Sequence, residues 1–102
     1  MILFFIFHFF LYQNPDQPVE VVHVGDVVRL RKNREGVVRY KGEVNFASGG
    51  VYYGIELNSW NVHGGDGAKK GIRYFRCAQG HALFVKREDI ISIVQASDPV
   101  TL

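Results

Sequence analysis

From Val19 onward, hydrophobic and polar residues alternate with the period of short β-strands. In the run Val24–Arg31, Val28 and Leu30 fall on one face while Arg29 and Arg31 fall on the other. Successive side chains of a strand point to opposite sides, so this alternation predicts a strand with one buried face. No stretch sustains the helical period of about 3.6 residues, and one turn of helix is expected at 87–89.

Further short strands follow, separated by turn residues, at 37–44, 51–57, 72–77, 81–86 and 90–94. On the second strand, Val38 and Tyr40 are expected on the inner face and Lys41 outside. Residues 32–36 supply a turn in which Gly36 is free to take a positive φ. About five short strands at this spacing predict an all-β fold, a small, strongly bent sheet or open barrel with a long glycine-rich loop.

The glycine-rich loop, residues 58–71, contains four glycines. A loop of this length in a small domain is usually functional or disordered. Two phosphate-binding motifs do not fit. Counted from Gly65, the last glycine of G-x-G-x-x-G would fall on Lys70, and the Gly-Lys-Ser/Thr of a P-loop does not occur. We therefore expect no nucleotide, no cofactor and no small-molecule substrate here.

The ends of the chain depart from the strand pattern. Residues 1–12 are almost wholly apolar and half aromatic. They fall short of the roughly 20 residues that span a bilayer, and no basic residue precedes them as in a secretory signal. A stray extension of the reading frame, a membrane-touching anchor and a strand packed on the domain remain alternatives, and membrane contact has no other support. The predicted division is an apolar extension with a proline-containing linker at 1–18, a domain at 19–95 and a loose tail at 96–102.

Length and charge narrow the class of function. A chain of 102 residues is long enough for one modest core. Its net charge of +2 argues against a duplex nucleic-acid binder. All 12 lysines and arginines lie in two clusters, at 29–41 and 69–87. This pattern favours either solvated strand faces or a surface that attracts an acidic partner.

Cys77, the single cysteine, cannot form an intramolecular disulfide, which favours a reducing compartment. Together with His63, Asp66 and His81 it raises the question of a Cys–His dyad or a metal site. The spacings match no zinc pattern, and a cysteine at the apolar end of a strand is more often a buried structural thiol. The sequence therefore predicts neither an enzyme nor a metal site.

Several separated elements, in the same order, resemble the CAP-Gly domain family over about residues 24–94. The matching elements are Val24-Gly25-Asp26, Gly42, Phe46–Gly50, Tyr52–Leu57, Gly67, Gly71–Cys77 and Ala82–Val85. The resemblance implies a small barrel from microtubule-associated proteins or tubulin-folding cofactors, in the cytoplasm and on the cytoskeleton. The implied partners are acidic, aromatic-ended C-terminal tails of tubulin or end-binding proteins.

The resemblance also implies a peptide site. An apolar slot for the tail's aromatic ring would be lined by Phe46, Tyr52 and Phe75, and backbone N–H groups of the loop would hold the terminal carboxylate. By alternation, only one residue of each adjacent aromatic pair can face this groove. Trp60 is either an exposed anchor or a lid over the core. The full predicted site is Phe46, Tyr52, Trp60, His63, Gly64, Gly65, Asp66, Gly67, Lys69, Lys70, Arg73 and Phe75.

The centre of the loop departs from the family hallmark, Gly-Lys-Asn-Asp-Gly. The matching stretch here is His63–Gly67, so Gly64 and Gly65 stand in place of the lysine and the asparagine. Each lost donor costs about 1–3 kcal/mol if it is buried against the ligand. We expect binding about tenfold to hundredfold weaker, or a different tail preference. Two alternatives stay open: a single-stranded nucleic-acid-binding barrel, and a CAP-Gly-like domain that has lost tubulin-tail binding.

Overall fold

The computed structural model describes residues 20–97. The predictions for residues 1–18 and for most of the tail at 96–102 lie outside this range. The strands are β1 (Val27–Leu30), β2 (Arg34–Gly42), β3 (Tyr52–Leu57), β4 (Ala68–Lys69), β5 (Ile72–Arg73), β6 (Ala82–Val85) and β7 (Ile90–Gln95). A single 3₁₀ turn at Arg87–Asp89 precedes β7, as predicted. Within the described residues no helix is long and apolar enough to cross a membrane.

Five of the strands form one antiparallel sheet in the order β6-β3-β2-β1-β7. The all-β prediction is confirmed, and the sheet stays open because β6 and β7 are its edges. The predicted strand at 72–77 is too long, because only Ile72–Arg73 forms a strand, β5, which pairs with β4 inside the long loop. Beyond β5, the N–H groups of Tyr74 and Phe75 both donate to the carbonyl of Gly67, at 2.9 and 3.3 Å, which turns the chain off the strand path.

The hydrophobic core lies on one face of the sheet. The alternation predicted for β1 is confirmed, with Val28 and Leu30 buried and Arg29 and Arg31 exposed. Complete burial of each aliphatic side chain stabilises the fold by about 1.5–3 kcal/mol. The buried cluster consists of Val22, Val28, Leu30, Val38, Tyr53, Ile55, Leu57, Val85 and Ile90.

A β-bulge in β2 reverses the orientation predicted for its second half. Val38 pairs with Ile55, but the next pairs are Tyr40 with Gly54 and Lys41 with Tyr53, so Arg39 is the extra residue. The predicted placement of Tyr40 on the inner face is therefore wrong, while Lys41 is exposed as predicted although it pairs with the buried Tyr53. Lys41 lies on the side of Tyr53 and its Nζ donates to the carbonyl of Val22 at 2.8 Å. Tyr40 is moved to the outer face of the sheet.

The turn between β1 and β2 takes its positive φ from Lys32 (64°) and Asn33 (60°), and the prediction for Gly36 is wrong. Gly36 lies within β2. A Cβ at this position would overlap the carbonyl oxygen of Glu56 on β3 and lie 2.8 Å from Cγ2 of Ile55. Gly36 is therefore required by the close approach of two strands rather than by a turn.

Candidate functional site

An aromatic cluster covers part of the outer face of the sheet, on the side opposite the core. Its rings are half-buried, and neighbouring ring centroids lie 5.1–5.9 Å apart in edge-to-face and tilted contacts. This is the geometry that aromatic quadrupoles favour. The members of the aromatic cluster are Tyr40, Phe46, Tyr52, Tyr74, Phe75 and Phe84.

Phe46 contacts three other rings of the aromatic cluster, as Tyr74 and Phe84 also do. Its ring contacts those of Tyr52, Tyr74 and Phe84 at centroid distances of 5.9, 5.7 and 5.1 Å. The loop that carries Phe46 is held in place because the N–H of Asn45 donates to the hydroxyl oxygen of Tyr74 at 2.9 Å. The loop between β2 and β3 is thereby fixed against the segment that follows β5.

Gly54 makes room for the aromatic cluster within β3. A Cβ at this position would lie 2.5 Å from Cε1 of Phe75 and 3.0 Å from Cβ of Tyr40. The Phe75 ring therefore lies directly on the backbone of the sheet, where any side chain would displace it. The Phe75 ring also contacts Phe84 of β6 in a tilted arrangement, at a centroid distance of 5.7 Å.

Two lysine side chains place their charges on the aromatic cluster. Lys69 Nζ lies 4.7 Å from the ring centroid of Phe46, and Lys86 Nζ lies 5.4 Å from that of Tyr52. Both distances are within cation–π range. The outer face therefore combines apolar ring surface with two ammonium groups, a combination suited to a ligand with an aromatic ring and nearby carboxylates.

The glycine pair Gly64-Gly65 holds the loop to the segment before β6. The N–H of Gly65 donates to the carbonyl of Ala82 at 2.8 Å, and the Gly65 carbonyl accepts from Gly80 and Ala82 at 3.0 Å each. The N–H of Gly64 donates to the carbonyl of Asn61 at 2.9 Å. A Cβ at Gly64 would overlap the Gly80 carbonyl. These glycines permit close backbone contact, and their N–H groups are already hydrogen-bonded within the domain.

Asp66 and Arg73 fasten the next part of the loop. The Asp66 carboxylate accepts from the N–H of Ala68 at 3.1 Å and from Arg73 Nη2 at 3.3 Å. These two contacts, the backbone one first, lower the pKa of Asp66. Arg73 Nη1 also donates to the carbonyls of Asp66 and Phe75, both at 3.1 Å. The Arg73 guanidinium is thus held by the loop itself.

Gly67 completes this arrangement. Its φ is +102°, and a Cβ there would overlap the carbonyl oxygen of Phe75. Only glycine combines this positive φ with the absence of a side chain that the close approach of Phe75 requires. The buried Gly67 therefore couples the loop to the backbone that carries Phe75.

Of the predicted site residues, the structure brings Phe46, Tyr52, Phe75 and Lys69 together at the aromatic cluster. Lys70 is exposed at the β4–β5 turn, where its φ is 51°. His63 is exposed, and its N–H donates to Asn61 Oδ1 at 2.8 Å.

Trp60 lies apart from the aromatic cluster, beyond the opposite end of β3 from Tyr52. It is 65% exposed. It lines a surface cavity of about 230 Å³ together with Arg34 and Leu57. The alternative that Trp60 is an exposed residue, rather than a lid over the core, fits this position.

Four residues of the site were missed by sequence reasoning: Tyr40, Tyr74, Phe84 and Lys86. Tyr40 reaches the outer face only through the bulge at Arg39. Alternation correctly separates Tyr52 from the buried Tyr53, but it fails for Tyr74 and Phe75, which both join the cluster because neither is in a strand. The one available indication was the position of Lys86 as the last residue of the strand predicted at 81–86.

The residues that raised an enzymatic interpretation are not arranged for catalysis. Burial, followed by the charges of Glu56 and Asp66, raises the pKa of the Cys77 thiol, whereas a nucleophilic cysteine needs a lowered pKa. The His81 ring nitrogen Nδ1 lies 2.8 Å from the carbonyl of Leu57. Among residues 20–97, no three His, Cys, Asp or Glu side chains come together to hold a metal ion.

The open antiparallel sheet, its aromatic cluster and its fastened glycine loop define a small binding module. The family model of the CAP-Gly domain matches residues 24–90. The chain belongs to the CAP-Gly family, whose members are non-enzymatic protein-interaction domains. The resemblance drawn from the sequence is thereby confirmed.

Individual proteins support this assignment. CAP-Gly domain-containing linker protein 3 of Mus musculus is 40% identical over 77 residues, which cover 74% of this chain and 14% of the relative. Microtubule-associated protein ssm4 of Schizosaccharomyces pombe is 44% identical over 63 residues, 62% of this chain and 9% of the relative. The chain thus spans a small part of these relatives' length. The solution structure of the CAP-Gly domain in human Kinesin-like protein KIF13B matches with a TM-score of 0.65 and 30% identity, over 81% of each chain.

Proposed function

We propose that this domain is a protein-interaction module of the microtubule cytoskeleton that binds acidic protein tails carrying an aromatic residue near their end. Tails of tubulin or of end-binding-type proteins have the required chemistry. Two observations support a cytoskeletal setting: the chain belongs to the CAP-Gly family, and one relative is itself named a microtubule-associated protein. A location in the cytoplasm, on microtubules, follows from the same proposal.

The observation that carries the proposal is the aromatic cluster with Lys69 and Lys86 above two of its rings, at 4.7 and 5.4 Å. An aromatic side chain of the tail would add edge-to-face contacts worth about 0.5–1.5 kcal/mol each beyond the area that it buries. Exposed ion pairs between the lysines and the tail's glutamates contribute about 0–1 kcal/mol each. The ring therefore supplies most of the affinity, and the charges mainly raise the association rate.

The direct test is titration of the purified chain with a fluorescent peptide that ends in Glu-Glu-Tyr, followed by anisotropy. We expect saturable binding with a Kd below about 1 mM, which corresponds to at least about 4 kcal/mol. A peptide with alanine in place of the tyrosine is the matched control and should bind at least about tenfold more weakly. Equal binding of the two peptides would contradict the proposal.

A single-stranded oligonucleotide serves as the competitor from another class of ligand. Aromatic rings with nearby cations can also stack bases. Titration with the oligonucleotide therefore tests the alternative that the domain binds single-stranded nucleic acid. If the oligonucleotide binds and the peptide does not saturate, the domain is a nucleic-acid binder instead. If neither ligand binds, the domain has the CAP-Gly fold without tail binding.

A further inference from the structure

We infer that this site recognises the side chains of an acidic, aromatic segment without needing a free C-terminal carboxylate, so that an internal segment of a partner protein can also bind. The inference rests on the proposed function and widens the class of partners. The inference depends on which N–H groups and cationic side chains of the domain are free to bind a carboxylate of the partner.

The Gly64-Gly65 pair at the centre of the glycine loop offers no free N–H group to a carboxylate from outside. Capture of a chain terminus requires backbone N–H groups that point outward. The N–H groups of Gly64 and Gly65 instead donate to the carbonyls of Asn61 and Ala82, at 2.9 and 2.8 Å. The N–H of Ala68 donates to the Asp66 carboxylate at 3.1 Å. Gly67, between them, is buried.

The loop also contains an anion of its own. The Asp66 carboxylate is held by the N–H of Ala68, 3.1 Å away, and by the guanidinium of Arg73, 3.3 Å away. Asp66 is charged at neutral pH, as an ordinary aspartate is, and its lowered pKa is consistent with this. A terminal carboxylate placed beside it would meet like-charge repulsion, while the nearest cation, Arg73, is already engaged by the loop.

The cations that remain near the aromatic cluster are on flexible side chains. Lys69 lies over Phe46 and Lys86 over Tyr52, and the centroids of these two rings are 5.9 Å apart. An ammonium group on a long stem pairs with a carboxylate wherever that carboxylate lies on the segment, because it is a point charge without a fixed geometry. Glutamates on either side of a bound aromatic residue can therefore supply the negative charge.

The position of the aromatic cluster permits the partner chain to continue. The rings are half-buried on the outer face of a sheet with open edges. We expect a segment that lies across this face to extend beyond its aromatic residue in both directions. A deep pocket closed at one end would instead require the chain to stop there.

The experiment compares peptides that share one acidic, tyrosine-containing motif and differ only after the tyrosine. The first ends in a free carboxylate, the second in an amide, and the third continues for three small residues and ends in an amide. A fourth, amidated peptide carries one additional glutamate before the motif and restores the net charge of the first. We expect the Kd values of all four to agree within about threefold, which is about 0.7 kcal/mol.

A loss of tenfold or more on both amidation and extension, not restored by the additional glutamate, would overturn the inference while leaving the proposed function intact. If the free-acid peptide itself fails to bind, the proposed function fails and the inference fails with it. Binding of the first peptide, the free acid, therefore separates a failure of the inference alone from a failure of the proposed function.

Two variants of the domain provide a second measurement. Lys69→Ala and Lys86→Ala should each weaken all four peptides by the same factor, up to about fivefold, because the lysines pair with side-chain carboxylates common to all. A loss confined to the free-acid peptide would mean that a lysine holds the terminal carboxylate, and would overturn the inference.

Discussion

The indole of Trp60 lies directly against Gly80, so that a larger residue at position 80 must displace the ring. A Cβ on Gly80 would overlap Cδ1 and Nε1 of the indole, and the φ of Gly80 is +92°. Trp60 is nevertheless 65% exposed. The exposed indole therefore packs against the backbone at Gly80.

Replacement of Gly80 by alanine should destabilise the domain by more than the roughly 1–3 kcal/mol that a strained backbone alone costs. The matched control is Gly71→Ala, because Gly71 has a similar φ of +83° but open space around it. Urea unfolding gives the loss of stability in each of the two variants. In a Trp60→Ala background the cost of Gly80→Ala should fall towards that of the control, and an unchanged cost would contradict the packing described. Since Trp60 is the single tryptophan, its emission in Gly80→Ala reports displacement of the ring.

Asp26 should make the stability of the domain dependent on pH. Its buried carboxylate accepts from the N–H groups of His23 at 2.9 Å and Ser97 at 2.7 Å, and so joins the chain before β1 to the chain after β7. Burial raises the pKa of Asp26, but these hydrogen bonds outweigh it and the pKa is lowered. A lowered folded-state pKa gives a stabilisation that is complete above the unfolded pKa, about 3.9, and is lost as the pH falls through the folded value.

The variant Asp26→Asn should therefore be less stable than the parent at pH 7, by about 1–3 kcal/mol, and the difference should narrow below about pH 4. Urea unfolding at a series of pH values checks this. The variant Glu88→Gln removes an exposed carboxylate as a control. The lowest pH of the series is 2.5, about 1.4 units below the unfolded pKa. If the difference in free energy of unfolding between Asp26→Asn and the parent stays constant down to this pH, the charge of the Asp26 carboxylate is not its cause.

The parts of the fold that could be predicted from sequence are those set by local pattern. The alternation of Val28 and Leu30 with arginines places β1, and that of Tyr52 and Tyr53 places β3, because each strand buries one face only. The family resemblance rests on short elements in a fixed order, which a single sequence displays. These features require no knowledge of which strands are neighbours.

The parts that could not be predicted depend on contacts between distant segments. The bulge at Arg39 is defined by the pairing of β2 with β3, and it alone decides that Tyr40 joins the aromatic cluster. The inward direction of the Gly65 N–H depends on Ala82, which is 17 residues further along the chain. Since no local pattern encodes these pairings, the sequence indicated a glycine loop but not which way its donors point.

Gly54→Ala should disturb the aromatic cluster from beneath. A Cβ there would lie 2.5 Å from Cε1 of Phe75, so the ring must move away from the sheet. We expect a stability cost of about 1–3 kcal/mol and at least about tenfold weaker binding of the tyrosine peptide. Gly80→Ala is the control, because it destabilises the domain at a site apart from the aromatic cluster. If both variants weaken the peptide equally at a temperature where both are folded, the aromatic cluster is not the binding surface.

Removal of either cluster lysine should weaken binding in a salt-dependent way. Lys69→Ala and Lys86→Ala each remove a charge that lies over a ring of the aromatic cluster, whereas the control Lys32→Asn removes a charge at the β1–β2 turn, where a φ of 64° suits asparagine. At 0.1 M salt the Debye length is about 10 Å, and at 1 M it is about 3 Å. Each cluster variant should therefore bind up to about fivefold more weakly than the parent at low salt, and the difference should shrink at high salt. Lys32→Asn should bind like the parent at both concentrations.

An equal loss of affinity in all three variants would mean that the overall charge of the domain attracts the peptide, and that Lys69 and Lys86 do not contact it.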